Sequence, residues 1–275
     1  MKKNTLIAII LAIVFTCFLF LLNKGRCALN LWTSPAFKIN NTAPATAMNT
    51  ALALLKTRRD KEAGAIFEDI LTKDEDNLKA LWGKAEVLRR NRQYREAENI
   101  LKQILSLKPD YDLALISLSH IRYKEGKLEE ALSLISQVLN AEEIEKENEA
   151  LAYVLLGAIN NKRVERGGFI TKIAYGTRIK GYFLKAKELA PDSADVRLAL
   201  GSFYLLAPKI IGGNLERALV ELESVLKIAP DFATANARLA QAYKKKRDLE
   251  KYNFYLQRTK ELDPYNDVLK EIKSP

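Results

Sequence analysis

Small and large apolar residues recur along most of this 275-residue chain with the spacing of paired helices. Ala63, Ala97, Ala131 and Ala218 are each followed four positions later by a larger apolar residue: Phe67, Leu101, Ile135 and Leu222. A second series of small residues, Ala51, Ala85, Ser119, Gly157, Gly201 and Ala240, falls on the helix before. A step of four places both members on one helical face, so the small residue admits a neighbouring helix and the large one fills the space beside it. Acidic turns punctuate the pattern: "LKPDYD", "LAPDSA", "IAPDFA" and "LDPYND", with prolines at 109, 191, 230 and 264. Pro230 and Pro264 are 34 residues apart, Pro191 and Pro230 are 39 apart, and 34 residues before Pro109 lies Glu75 in "TKDEDN", the same turn without its proline. The pattern predicts an all-α fold, a right-handed α-solenoid of about six helical hairpins. The units fall at about 44–77, 78–111, 112–145, 150–193, 194–232 and 233–264, with a C-terminal cap over 265–275. In that cap Val268, Leu269 and Ile272 have helical spacing and would cover the last hydrophobic edge.

Two units are longer than the period. Unit five carries five extra residues in "LAPKIIGG", between its two helices. Pro208 would end one helix and Gly212-Gly213 would turn into the next, with Asn214 as its cap. A phosphate loop needs a preceding strand and a Gly-Lys-Ser or Gly-Lys-Thr ending, and neither is present, so the stretch reads as a joint. Unit four carries ten extra residues within "NNKRVERGGFITKIAYGTRIKGY". There Arg163, Arg166, Lys172 and Arg178 alternate with Phe169 and Tyr175, a composition that suits an anionic polymer or a lipid headgroup. An extended second helix with packed aromatics and solvated cations accounts for the same residues.

The N-terminus breaks the pattern. Leu6 to Leu22 form a 17-residue apolar run, about 25 Å long as a helix and enough to cross a bilayer. Residues 1–29 therefore read as a signal anchor or signal segment, and 30–43, with two prolines, as a spacer. Lys24 and Arg26 flank the one place where a cut is conceivable, which favours an uncleaved anchor over export and cleavage. Membrane contact would run through residues 6–22. A single-pass span of a bacterial inner membrane, with the solenoid on the periplasmic side, is the expected topology, and an exported, cleaved protein is its alternative.

Composition narrows the chemistry. Both cysteines, Cys17 and Cys27, precede the repeats, and the chain has one histidine, His120. The folded body therefore lacks the residues for a disulfide framework, a cysteine zinc site or a His-based nucleophile, and no enzyme, cofactor or metal is expected. A net charge of +10, from 44 basic and 34 acidic residues, favours acidic partners or membrane surfaces without calling for nucleic acid.

The 34-residue period and its small and large positions resemble the tetratricopeptide repeat family, over roughly four-fifths of the chain. That resemblance implies a concave groove built from the first helix of each unit. Its thirteenth position is Lys56, Arg90, Lys124, Lys162, Leu206 and Lys245, basic in five of six units. Such a ladder would draw in extended or helical acidic segments of other proteins, although a merely solvated edge has the same composition. Further groove candidates are Trp82, Glu86, Arg89, His120, Tyr123, Arg238, Gln241 and Lys244, with Trp82 and Tyr123 as aromatic anchors. Met48, Leu52, Leu113 and Ser117 stand where the family's chaperone-binding subset places its carboxylate clamp, which disfavours that mode. The reading is a membrane-tethered interaction scaffold for a cell-envelope assembly or transport complex. The alternative is a periplasmic binding component for a small molecule or lipid, working beside a solute transporter.

Overall fold

A computed structural model describes residues 44–165 and 169–273. The apolar run 6–22 and the spacer lie outside the described residues. Six helical hairpins follow one another: α1 (Pro44–Lys56) with α2 (Asp60–Lys73), α3 (Leu78–Arg90) with α4 (Tyr94–Leu107), and α5 (Asp112–Glu125) with α6 (Leu128–Leu139). Then come α7 (Lys146–Glu165) with α8 (Phe169–Leu189), α9 (Ala194–Leu206) with α10 (Leu215–Ile228), and α11 (Ala233–Lys246) with α12 (Leu249–Leu262); α13 (Asp267–Lys273) ends the chain's described part. No strand occurs among the described residues, and none of their helices is long and apolar enough to cross a membrane. The all-α solenoid expected from the repeat is what forms.

The small residues act as the spacing implies. Ala51, Ala63, Ala85, Ala97, Ala131, Ala218 and Ala240 are fully buried, as are Phe67, Leu101, Ile135 and Leu222. Gly157 and Gly201 let Phe183 and Leu222 come so near that a Cβ would lie 2.6 and 2.8 Å from them. Neighbouring units thus share apolar contacts, and the core is a series of clusters along the stack. Val268, Leu269 and Ile272 of α13 close its last edge, buried beside Ala237, Ala240 and Tyr255.

Turn chemistry sets the joints. Asn77, Ser193, Asn214 and Asp248 cap α3, α9, α10 and α12, each accepting a backbone N–H with its side chain. In unit five a 3₁₀ turn at Lys209–Ile211 leads to Gly212, whose φ of +108° is left-handed. A Cβ on Gly213 would lie 1.8 Å from the Ala207 carbonyl oxygen, so only glycine fits. Unit four spends its extra residues on helix length: α7 and α8 have 20 and 21 residues, against 12 to 14 in the other hairpins.

Candidate partner-binding groove

Each first helix packs on the first helix of the next unit, from α1 through α11, while the second helices do not pair this closely. The first helices therefore line the inner, shorter-radius wall of the solenoid. In units one to three that wall holds a buried carboxylate. Glu86 on α3 accepts from Arg89 at 2.7 and 2.5 Å and from Arg90 Nε at 2.8 Å. Arg90 also reaches Asp60 at 2.7 Å and the Leu55 carbonyl at 2.8 Å. Ser117 of α5 donates to Glu86 at 3.3 Å and accepts the Trp82 indole N–H at 3.1 Å. Burial alone would raise the Glu86 pKa, but the two guanidinium groups outweigh it and hold the carboxylate well below its usual range. Trp82, Glu86, Arg89 and Arg90 thus form a coherent network, with the Trp82 polar edge spent inside the wall.

Deeper along the wall stand His120 and Tyr123 on α5, edge to face at 6.2 Å between ring centroids. Burial, and the Arg89 charge beside it, hold His120 well below the usual histidine range, so it is neutral near pH 7. Lys162 of α7 lies over the Tyr123 ring at 4.8 Å. Arg238 and Gln241 of α11 meet Glu271 of α13 at 2.5 and 3.2 Å.

The basic ladder has a structural use that its composition did not reveal. Arg90, Lys162 and Lys245 donate to the carbonyls of Leu55, Tyr123 and Leu205, at 2.8, 3.4 and 2.7 Å. Each of these carbonyls belongs to the last turn of the preceding unit's first helix, and those of Leu55 and Tyr123 also accept the backbone N–H of Arg58 and Gly126, at 3.3 and 3.1 Å. A cation there adds a side-chain donor to the helix end and suits the negative end of the helix dipole. Lys244 does the same for the Ile272 carbonyl at 3.3 Å. The two remaining rungs pair with carboxylates: Lys56 with Glu147 at 2.8 Å and Lys124 with Asp267 at 3.1 Å.

Longer bridges also cross the wall, and sequence reasoning missed them. Arg58 bonds Asp195, 137 residues away, and its guanidinium carbon lies 3.8 Å above the Phe232 ring. Arg92 holds Asp263 at 2.9 Å across 171 residues, and Lys124 holds Asp267 across 143. The first three units therefore face units five and six and the cap across the inner wall. Arg58 and Arg92 occupy inter-helix turns with φ of +67° and +63°, the conformation Gly126 adopts in unit three at +81°. Arg247 takes the same conformation in unit six at +64°, so an arginine in this turn, disfavoured by about 1 kcal/mol, did not by itself mark the bridges.

Of the unit-four patch, the side chains of Arg166, Phe169, Lys172 and Tyr175 lie outside the described ones. Arg163 pairs with Glu129 at 3.4 Å, and Arg178 is exposed on α8.

Residues 54–105 and 88–143 match a tetratricopeptide repeat family model. No curated protein matches the chain. Solved structures do. A tetratricopeptide repeat protein from Parabacteroides merdae aligns with TM-score 0.50 at 14% identity, over 87% of this chain and 85% of that one. The APC/C hetero-tetramer Cut9–Hcn1 aligns with TM-score 0.56 at 16% identity, over 84% and 43%. The human IFIT1 dimer with PPP-AAAA aligns with TM-score 0.57 at 19% identity, over 84% and 52%. At such identities the likeness is one of fold. Across residues 54–143 the chain matches the tetratricopeptide repeat family, and through its described hairpins it shares the solenoid fold of such proteins.

Proposed function

We propose that this chain is a membrane-tethered scaffold that holds acidic segments of partner proteins against the inner wall of its solenoid. The carrying observation is that the inner wall presents Arg92, Lys124 and Arg238 to carboxylates that reach it from elsewhere in the chain. A wall that orders carboxylates of its own is chemically suited to those of a partner. The apolar run 6–22 and its basic flanks support a tether in a bacterial inner membrane, with the repeats on the periplasmic side, and an envelope assembly or transport complex is the setting that fits. Among the described residues the extra length of unit four lies in α7 and α8, and the carboxylate contacts of the inner wall favour the protein scaffold over a small-molecule site.

Trp82 and Arg90 are poor probes of this proposal, because both are committed to the internal network. Arg92 and Lys124 are 40% and 37% exposed and serve better. Reversing both, Arg92→Glu with Lys124→Glu, is expected to reduce partner co-purification at least tenfold, while Lys61→Glu on the second helix of unit one leaves it unchanged. Full capture by the double variant, with unaltered circular dichroism, would remove the inner wall from the proposal.

A further inference from the structure

Asp263, Asp267 and Glu271 are spaced four residues apart in the C-terminal segment. Each meets a different cation of the inner wall: Arg92 at 2.9 Å, Lys124 at 3.1 Å, and Arg238 at 2.5 Å. Those cations come from units two, three and six. Burial works against ionisation of Asp267, yet Lys124, Arg92 and Lys270 together hold its carboxyl below the usual range.

The segment has two faces with separate duties. Val268, Leu269 and Ile272, between 3% and 6% exposed, fasten it to unit six. The carboxylates face the cations, and on α13 they are the lightly held side: Asp267 is 57% exposed and Glu271 46%, whereas Asp263, at 29%, also accepts from Tyr265 N–H and Asn266. Half-exposed ion pairs contribute little to stability and exchange readily. An apolar cap alone would end the solenoid, so the cap's function does not require the acidic face.

We infer that Asp263, in the turn after α12, and Asp267 and Glu271, on α13, occupy within the chain the place of a partner's acidic segment. This rests on the inner-wall reading above and sharpens its ligand. The partner binds Arg92, Lys124 and Arg238 by displacing the chain's own carboxylates, while the apolar cap stays seated. Because the internal competitor is tethered, its effective concentration is high, on the order of millimolar. A partner must then supply more than isolated charges, and weak acidic peptides are rejected.

The test uses the full chain in detergent micelles and a fluorescent peptide with the sequence of residues 263–273, read by anisotropy. The variant D263N/D267N/E271Q clears the cations and leaves the apolar face intact. It is expected to bind the peptide at least tenfold more tightly than the unaltered chain, and to lose most of that affinity between 50 and about 300 mM salt. The same peptide with its three carboxylates replaced by amides should bind neither chain. Equal binding to both chains overturns the inference, because the internal carboxylates would then not compete. No binding to the cleared variant also overturns it. In either case the inner-wall reading stands if Arg92→Glu with Lys124→Glu still abolishes partner capture, and falls if capture persists.

Discussion

Glu86→Ala is expected to lower the unfolding free energy by about 3–5 kcal/mol, the usual consequence of leaving a buried charge without its partner. Glu86 is 6% exposed and is the carboxylate that Arg89 and Arg90 share. Removing it takes from Arg89 the carboxylate it bonds, leaves Arg90 with Asp60 and the Leu55 carbonyl, and strips Ser117 of its acceptor. Urea denaturation followed by circular dichroism measures the loss. The same residue gives the unaltered chain a definite acid response. Its folded pKa is depressed below the ordinary value of 4.5, so its contribution is complete above that value. As pH falls below about 4.5, the unfolded state takes up a proton that the folded state resists, and stability declines. A variant lacking Glu86 should show a shallower decline over that range. A loss under 1 kcal/mol would mean that the arginines are solvated rather than held within the wall.

Gly83→Ala and Gly64→Ala should change stability in opposite directions, although both replace a helical glycine with the best helix former. Propensity alone favours alanine at each site by about 1 kcal/mol. At Gly83 the new Cβ would stand 2.3 Å from Cζ of Phe67, a ring with no exposed surface and no room to retreat. Overpacking of that kind costs about 1–3 kcal/mol, and against a ring that cannot retreat the upper end applies, so after the propensity gain a net loss of up to about 2 kcal/mol is expected. At Gly64 the nearest atom is Val87 Cγ1 at 3.6 Å, an ordinary contact. There the propensity gain should survive, to the extent of about 0.5–1 kcal/mol. Thermal melts of the two variants decide it. A stabilised Gly83→Ala would show that α2 and α3 do not pack at this distance.

What was legible in the sequence was the short-range part of the fold. A small residue and a large one four positions apart specify which helical face is buried, and Ala97 with Leu101 or Ala131 with Ile135 could be placed from spacing alone. The joint at Gly212-Gly213 was equally readable, because left-handed backbone and a close carbonyl leave a mark in residue type. The bridges Arg58–Asp195, Arg92–Asp263 and Lys124–Asp267 were not. They depend on how the small rotation between successive hairpins accumulates over several units, and on lengthened helices α7 and α8. No local periodicity records that sum. The ladder shows a subtler limit: Arg90, Lys162 and Lys245 were visible as a charged row, but a row of charge has the same sequence whether it faces a ligand or the carbonyl ends of neighbouring helices. Only the position of the preceding helix terminus separates the two uses.

The central claim is that partners are held on the inner wall. Site-specific photo-cross-linking in living cells tests it most directly, with the photoreactive residue placed at Tyr123 on the inner wall or at Leu107, an exposed position at the end of a second helix. The account predicts a discrete cross-linked partner from Tyr123 that is lost when Lys124 is changed to glutamate, and none from Leu107. The same partner cross-linking from Leu107 and not from Tyr123 would contradict it.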